Sequence, residues 1–337
     1  MGLPANPAKP VPPGKSGQLR AQLREVRQKG SQARRNLRNG LLFTAPWLVG
    51  LLVLQAYPLL ATVYYSFTNF DGLQFPPRWV GLTNYQNMIH DPYVKLAASN
   101  TVWWVVTSVP LSLVVGLLLA LILNQRIPVI GAFRSIVYVP SMVPLAGAAI
   151  IFAWIFNPAG GPVNALLAAA GLTRQPNWFL DANLSKPALL LITVWQIGPT
   201  MIIFLAALQN VPKDLYEACE LDGGGRWPKF TRVTLPLITP AVFFNLVLNL
   251  IWAFSIFTQA MFISASSASI SSASGVGAAI GGQQNSLLFY GVYLYEVLFQ
   301  DFDFGYGSAL AVALTVVVAA ITVALFRSAK RWVFYND

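Results

Sequence analysis

Charge, cysteine and histidine are all scarce in this chain of 337 residues. Only 10% of its residues are Asp, Glu, Lys or Arg, whereas a soluble domain carries about 25%. With 55% of residues hydrophobic, most of the chain is expected to face lipid or other helices. The single cysteine, Cys219, excludes an internal disulfide and any multi-cysteine zinc spacing. The single histidine, His90, leaves no histidine cluster for a metal. An ATP site is also lacking. Gly14-Lys15-Ser16 looks like the end of a P-loop, but that motif needs a glycine five residues earlier, and position 9 is Lys. The first apolar run follows a 40-residue polar lead and is too long for the core of a signal peptide, so none is expected.

What is present is a series of long apolar runs. A membrane helix needs about 20 mostly apolar residues. Six stretches free of Asp, Glu, Lys and Arg qualify: 41–67, 100–123, 135–156, 187–208, 235–263 and 308–326. An all-α membrane protein with six transmembrane helices is therefore expected. Pro58, Pro110, Pro140, Pro144 and Pro199 fall within these runs. Proline removes a backbone donor and bends a helix, and each is read as a simple kink or as a break beside a cavity.

The net charge of +10 is distributed as topology. Eighteen of the 22 Lys and Arg residues lie in the head 1–40, the loops 124–134 and 209–234, and the tail from Arg327. Arg78, Lys95, Arg174 and Lys186 lie in the alternate loops. Positively charged loops stay in the cytoplasm, so both termini are expected there, and no nucleic-acid partner is implied. The excess charge favours anionic lipid instead. Residues 1–14 are rich in Pro and small residues and are expected to be disordered. Residues 16–38 carry seven basic side chains among Leu19, Leu23, Val26 and Leu37. That stretch reads either as a helix on the membrane surface or as a solvated anchor. The domain reading is a basic segment 1–40, a membrane domain 41–327 holding the loop 209–234, and a tail 328–337. Residues 264–285 are almost wholly Ser, Ala, Gly, Ile and Gln, and are expected to form a mobile loop.

The densest polar segment lies between Pro212 and Pro240 and carries Lys213, Asp214, Glu217, Glu220, Asp222, Arg226, Lys229 and Arg232. Pro212 fits a helix start, and Asp214 and Glu217 suit the positive end of the helix dipole. Gly223-Gly224-Gly225 ends that helix. Trp227, Phe230 and Val233, spaced at three, mark a second one. A helix–turn–helix along one membrane face is expected, with small residues at its bend. It is read either as an amphipathic connector tucked against the membrane helices or as a docking element.

The spacing Glu217-Ala218, three residues, Gly223, nine residues, Val233, one residue, Leu235-Pro236 resembles the "EAA" loop of ABC importer permeases. Cys219 stands where that loop has a second Ala, and Val233 where it has Ile. The resemblance extends past residue 40. Pro46-Trp47-Leu48-Val49-Gly50, Tyr57-Pro58-Leu59-Leu60 and Ser66-Phe67-Thr68 look like the first span of sugar-importer permeases. Gly81-Leu82-Thr83-Asn84-Tyr85 looks like their first outer loop. Gly281-Gly282, Tyr293-Leu294-Tyr295-Glu296 and Phe304-Gly305-Tyr306-Gly307-Ser308-Ala309 resemble their loop before the last span. Together these motifs resemble the carbohydrate-uptake branch, of MalF or UgpA type.

That resemblance implies a type I importer permease of the bacterial or archaeal cytoplasmic membrane. It implies a second permease, two ATPase subunits that bind ATP and Mg, and an extracytoplasmic solute-binding protein. This chain itself would be non-catalytic, with no cofactor. Glu217, Ala218, Cys219, Asp222, Gly223 and Gly224 would then couple to an ATPase.

A sugar site needs aromatic faces and amides. Asn245, Asn249, Trp252, Ile256 and Gln259 step by 4, 3, 4 and 3, which places them on one helical stripe. Trp195 and Gln196 lie beside Pro199. Counting from the shared motif, the resemblance puts Trp195, Gln196, Asn249, Trp252 and Ile256 at a sugar site. The alternative is that the amides bond neighbouring helices and the tryptophans pack or anchor. Three other functional readings stand beside the importer. A secondary transporter usually carries a charged residue within its spans, and none of the six runs has one. An intramembrane enzyme needs a nucleophile, base or metal set, which the spans do not offer. A non-transporting scaffold would use the polar segment alone.

Overall fold

The computed structural model describes residue 32 and residues 35–125, 127–158, 160–172, 176–272 and 281–334, with the backbone alone for 267–272. The disorder expected over 1–14 and most of the basic stretch 16–38 lie outside these residues. The described chain is helical, and its only β-pairing is one bridge between Thr68 and Trp79.

The chain divides into two compact units, 1–61 and 62–337. Unit one holds most of helix α1, Arg35–Tyr65. Phe43, Leu54 and Leu60 on this helix are exposed. An apolar helix with no soluble-style core face is one that lipid or another protein covers. Residues 51–56 widen into a π-helical turn just before Pro58, whose ring crowds the carbonyl four residues back.

Unit two contains thirteen further helices among the described residues. They are α2 Thr83–His90, α3 Pro92–Leu123, α4 Ile130–Tyr138, α5 Leu145–Ile155, α6 Pro162–Ala169, α7 Ser185–Trp195 and α8 Gly198–Gln209. Then come α9 Lys213–Leu221, α10 Arg226–Leu237, α11 Thr239–Phe254, α12 Thr258–Ser272, α13 Tyr290–Phe299 and α14 Phe304–Ala329. Among the described residues three helices, α1, α3 and α14, are long and apolar enough to cross a membrane unbroken. Six spans result if each bent pair counts as one: α4 with α5, α7 with α8, and α10 with α11.

The six expected runs are all found, with corrected limits and three breaks. Helix α3 starts at Pro92, eight residues before the apolar run, because Asp91 caps it and Pro92 fits its first turn. The third span bends by 98° between Met142 and Leu145, where Pro140 and Pro144 leave carbonyls without helical donors. The fourth bends by 47° at Gln196–Ile197, just before Pro199. The fifth does not run through to Ile263. It bends by 63° at Ile238 and ends at Phe254. The low-complexity stretch is also corrected: residues 264–272 continue helix α12. Ala260 and Ile263 anchor that helix by burial, and the helix packs along α5. Residues 273–280 lie outside the described part.

Small residues bring the helices of unit two together. A Cβ on Gly116 of α3 would sit 2.7 Å from Thr200 Cγ2 on α8, so glycine is required there. Lipid tails are as apolar as leucine, so such close packing, rather than hydrophobic burial, holds membrane helices together. Two apolar clusters result. One gathers Trp104, Phe152, Leu189, Ile263 and Phe289. The other gathers Ala120, Met201, Phe204, Leu208 and Ile238.

Candidate functional site

Beside the first of these clusters lies a cavity of about 640 Å³, within the roughly 300–1,000 Å³ range of small-molecule sites. The helix breaks make it. Where α7 gives way to α8, Gln196 turns inward, and its Nε2 donates to the Val143 carbonyl at 2.9 Å. Val143 lies in the break between α4 and α5, so one amide ties two broken spans together. On α11, Asn249 Nδ2 donates to the Asn245 carbonyl at 2.9 Å and to Thr200 Oγ1 at 3.3 Å. Asn245 Nδ2 donates to the Thr200 carbonyl at 3.4 Å.

Gln196, Asn249, Trp252 and Ile256 all line this cavity, as do Asn245 and Gln259. Trp252 is 68% exposed, so its ring is open to a bound molecule. Trp195 does not line it, and packs edge-on against Phe152 at 5.4 Å. The stripe 245–259 is not one helix, since α11 stops at Phe254. Ile256 and Gln259 reach the cavity across the break.

Sequence reasoning missed the α3 wall, formed by Trp104, Ser108 and Ser112. The signal was available: Asn100, Trp104, Ser108, Ser112 and Gly116 recur every four residues inside an apolar run. It also missed Thr200, one turn after Gln196. Trp104 lines the cavity, and its ring meets Phe289 at 5.7 Å. Segment 281–290 is fastened there. Asn100 Nδ2 donates to the carbonyls of Asn285 and Leu288 at 3.0 and 2.9 Å. Tyr290 N–H donates to Thr101 Oγ1 at 2.9 Å.

The polar loop forms a second candidate site. Pro212 is the cap rather than the first helical residue, and α9 begins at Lys213. Its end is a Schellman turn: Gly224 N–H donates to the Cys219 carbonyl at 2.8 Å and Gly223 N–H to that of Glu220 at 3.0 Å. Gly223 has φ +77°, a left-handed conformation suited to glycine. A Cβ there meets nothing within 4 Å, so bulk at Gly223 would not clash within this chain. At Gly224 a Cβ would lie 2.5 Å from Cys219 Sγ and 2.6 Å from the Cys219 carbonyl. Glu217, Ala218, Asp222 and Gly223 are exposed, while Cys219 and Gly224 are half-buried.

The loop is tethered to the membrane helices by few polar contacts. Tyr216 Oη and Thr234 Oγ1 are 2.9 Å apart, and Lys229 pairs with Glu220 at 2.8 Å. Tyr216 and Val233 also pack on the apolar cluster beneath. Leu221 and Trp227 are 90% and 72% exposed, a surface that calls for a partner.

Comparison with known proteins agrees with this architecture. Residues 112–332 match the family described as binding-protein-dependent transport system inner membrane component. The chain belongs to that family and is a multi-pass inner-membrane permease subunit. It is 34% identical over 316 residues to the probable ABC transporter permease protein YesP of Bacillus subtilis (strain 168), covering 93% of this chain and 97% of that one. It is 28% identical to the lactose transport system permease protein LacF of Rhizobium radiobacter, covering 87% and 94%. A solved bacterial ABC transporter involved in the import of the acidic polysaccharide alginate contains a chain of the same fold. The TM-score is 0.74 at 21% identity, over 89% of this chain and 99% of that one. The type I ABC importer permease fold expected from the loop motif is therefore the fold found.

Proposed function

We propose that this chain is a permease subunit of an ATP-driven sugar importer. Sugar released by an extracytoplasmic binding protein would cross through the cavity between α3, α8 and α11. The observation that carries this reading is the cavity itself, a set of amides, hydroxyls and tryptophans held where the third and fourth spans break and α11 ends. Gln196, Asn249, Trp252 and Ile256 would contact the sugar, and Trp195 would support them through Phe152. The lactose permease relative supports the sugar class.

In this reading Glu217, Ala218, Cys219, Asp222, Gly223 and Gly224 seat the α9–α10 turn in an ATPase subunit. The chain is non-catalytic, and ATP and Mg belong to two partner ATPases. A second, distinct permease completes the translocation path. Both termini are cytoplasmic, in keeping with the basic residues of the head, tail and polar loop.

The test is ATP-dependent sugar uptake in vesicles holding this chain with its co-purifying subunits. Uptake that needs ATP and binding protein, and is lost in Gly223→Trp with membrane insertion intact, is the expected result. Solute flux without an ATPase, or no flux at all, would refute the reading in favour of an ion-coupled transporter or a scaffold.

A further inference from the structure

Three of the four amides lining the cavity share one arrangement. Each donates an N–H to a main-chain carbonyl: Gln196 to Val143, Asn249 to Asn245, and Asn245 to Thr200. A main-chain carbonyl only accepts hydrogen bonds. The amide nitrogen must therefore face the protein in all three, which fixes the oxygen on the opposite branch. Asn249 uses its second proton as well, on Thr200 Oγ1. The wall thus offers the cavity oriented acceptors at Gln196 Oε1 and Asn249 Oδ1, with Asn245 buried behind them, beside the neutral hydroxyls of Ser108, Ser112, Ser141 and Thr193 and the amide of Gln259. Among the described residues lining the cavity, none is Asp, Glu, Lys, Arg or His.

We infer that this wall selects uncharged, hydroxyl-rich saccharides and disfavours acidic ones. The inference rests on the sugar-importer reading and adds the charge class, which the fold alone leaves open. A sugar hydroxyl donates to an amide oxygen and completes its hydrogen bonding. A carboxylate or sulfonate group has only acceptors to offer. It would meet neutral amides and hydroxyls with no cation among the described lining residues, after losing its water, and an unpaired charge in such a place is costly. Trp252 then serves the C–H faces of a neutral ring, a contact that needs no charge.

Positioning gives Thr200 a part in this selectivity. Its hydroxyl and carbonyl orient both asparagines, and its methyl group is fixed against Gly116.

The test uses the importer complex purified with its partner subunits in lipid nanodiscs, without the binding protein, so that only the membrane site is read. It is titrated with neutral di- and trisaccharides of the gluco, galacto and manno series and with their uronate counterparts. Neutral saccharides should bind, with the matching uronates about tenfold weaker or more. Asn249→Arg, which adds a cation and removes an acceptor, should shift the preference toward the uronates. Uronates that bind the native complex as tightly as neutral saccharides would overturn the inference and leave the importer reading standing. That measurement needs no variant to fold. If no saccharide of either class binds, the sugar reading itself fails.

Discussion

The cavity and the polar loop are built on opposite terms. At the cavity, three of the four amides are each pinned by a main-chain carbonyl, and helices approach as closely as Gly116 allows. At the loop, the Tyr216–Thr234 hydrogen bond, the Lys229–Glu220 ion pair and a Schellman turn hold a surface whose Leu221 and Trp227 face outward. The first region is preorganised for a small molecule, which rewards fixed acceptors. The second keeps its apolar surface for another protein and is held through its backbone turn. Substitutions should therefore act at the loop through shape and at the cavity through chemistry.

The largest effect is expected at the turn. Gly223→Trp puts a bulky group on the exposed bend and forces a left-handed conformation that costs a side chain about 1–2 kcal/mol. Uptake should fall to background, with ATPase subunits lost on co-purification. Gly223→Ala, which meets open space, should be mild by comparison. Gly224→Val should match the tryptophan variant, because its side chain strikes Cys219. If Gly223→Trp transports normally, the turn is not a docking surface.

The next effect is expected at the cavity. Asn249→Leu with Trp252→Ala removes an oriented acceptor and the exposed ring. The ATPases should remain bound while saccharide affinity drops by about tenfold or more, since each group lost from a well-formed site is worth on the order of 1–3 kcal/mol. Undiminished affinity would move the sugar contact elsewhere, and the amides would then serve helix packing alone.

Much of this contrast is legible in the sequence, and the reason differs by region. The turn is written locally: three glycines after an amphipathic run leave few other conformations, so Gly223 and Gly224 end α9 as expected. The cavity is written across distance. Gln196 was readable as a polar residue beside a proline, but nothing local shows that it spans to Val143 in another broken helix. Trp195 lies off the cavity because adjacent residues on a helix point about 100° apart, so only Gln196 of the pair lines it. The fifth span was drawn too long because hydropathy does not register the break at Ser255–Phe257. The helix over 264–272 was missed because a Ser/Ala-rich composition marks weak preference, and packing along α5 decides it.

A smaller effect is expected at a third place, outside both sites. Asp91 caps α3 and accepts hydrogen bonds from the Tyr293 and Tyr306 hydroxyls at 2.5 and 2.7 Å. Partial burial raises its carboxyl, but those two hydroxyls and the Tyr93 and Val94 N–H groups outweigh it, and the net direction is downward. A depressed carboxyl stabilises the fold above its unfolded value near pH 3.9 and loses that contribution as pH falls through the folded value. Asp91→Asn should therefore lower the melting temperature of the purified complex at pH 7, and the gap to the native protein should close below about pH 4. A gap that is unchanged at pH 3 would mean that the hydroxyls, not the charge, carry the contact.

The smallest effect is expected from Lys229→Ala. Its partner Glu220 is 67% exposed, and surface ion pairs contribute about 0–1 kcal/mol. Uptake should stay within about twofold of the native rate, and raising the salt should change the native protein as little. A large loss would show that the loop is held by charge rather than by its turn, and would put the coupling surface on the same terms as the cavity. A small one leaves the Schellman turn and the Tyr216–Thr234 contact as its hold, consistent with a surface that docks by shape.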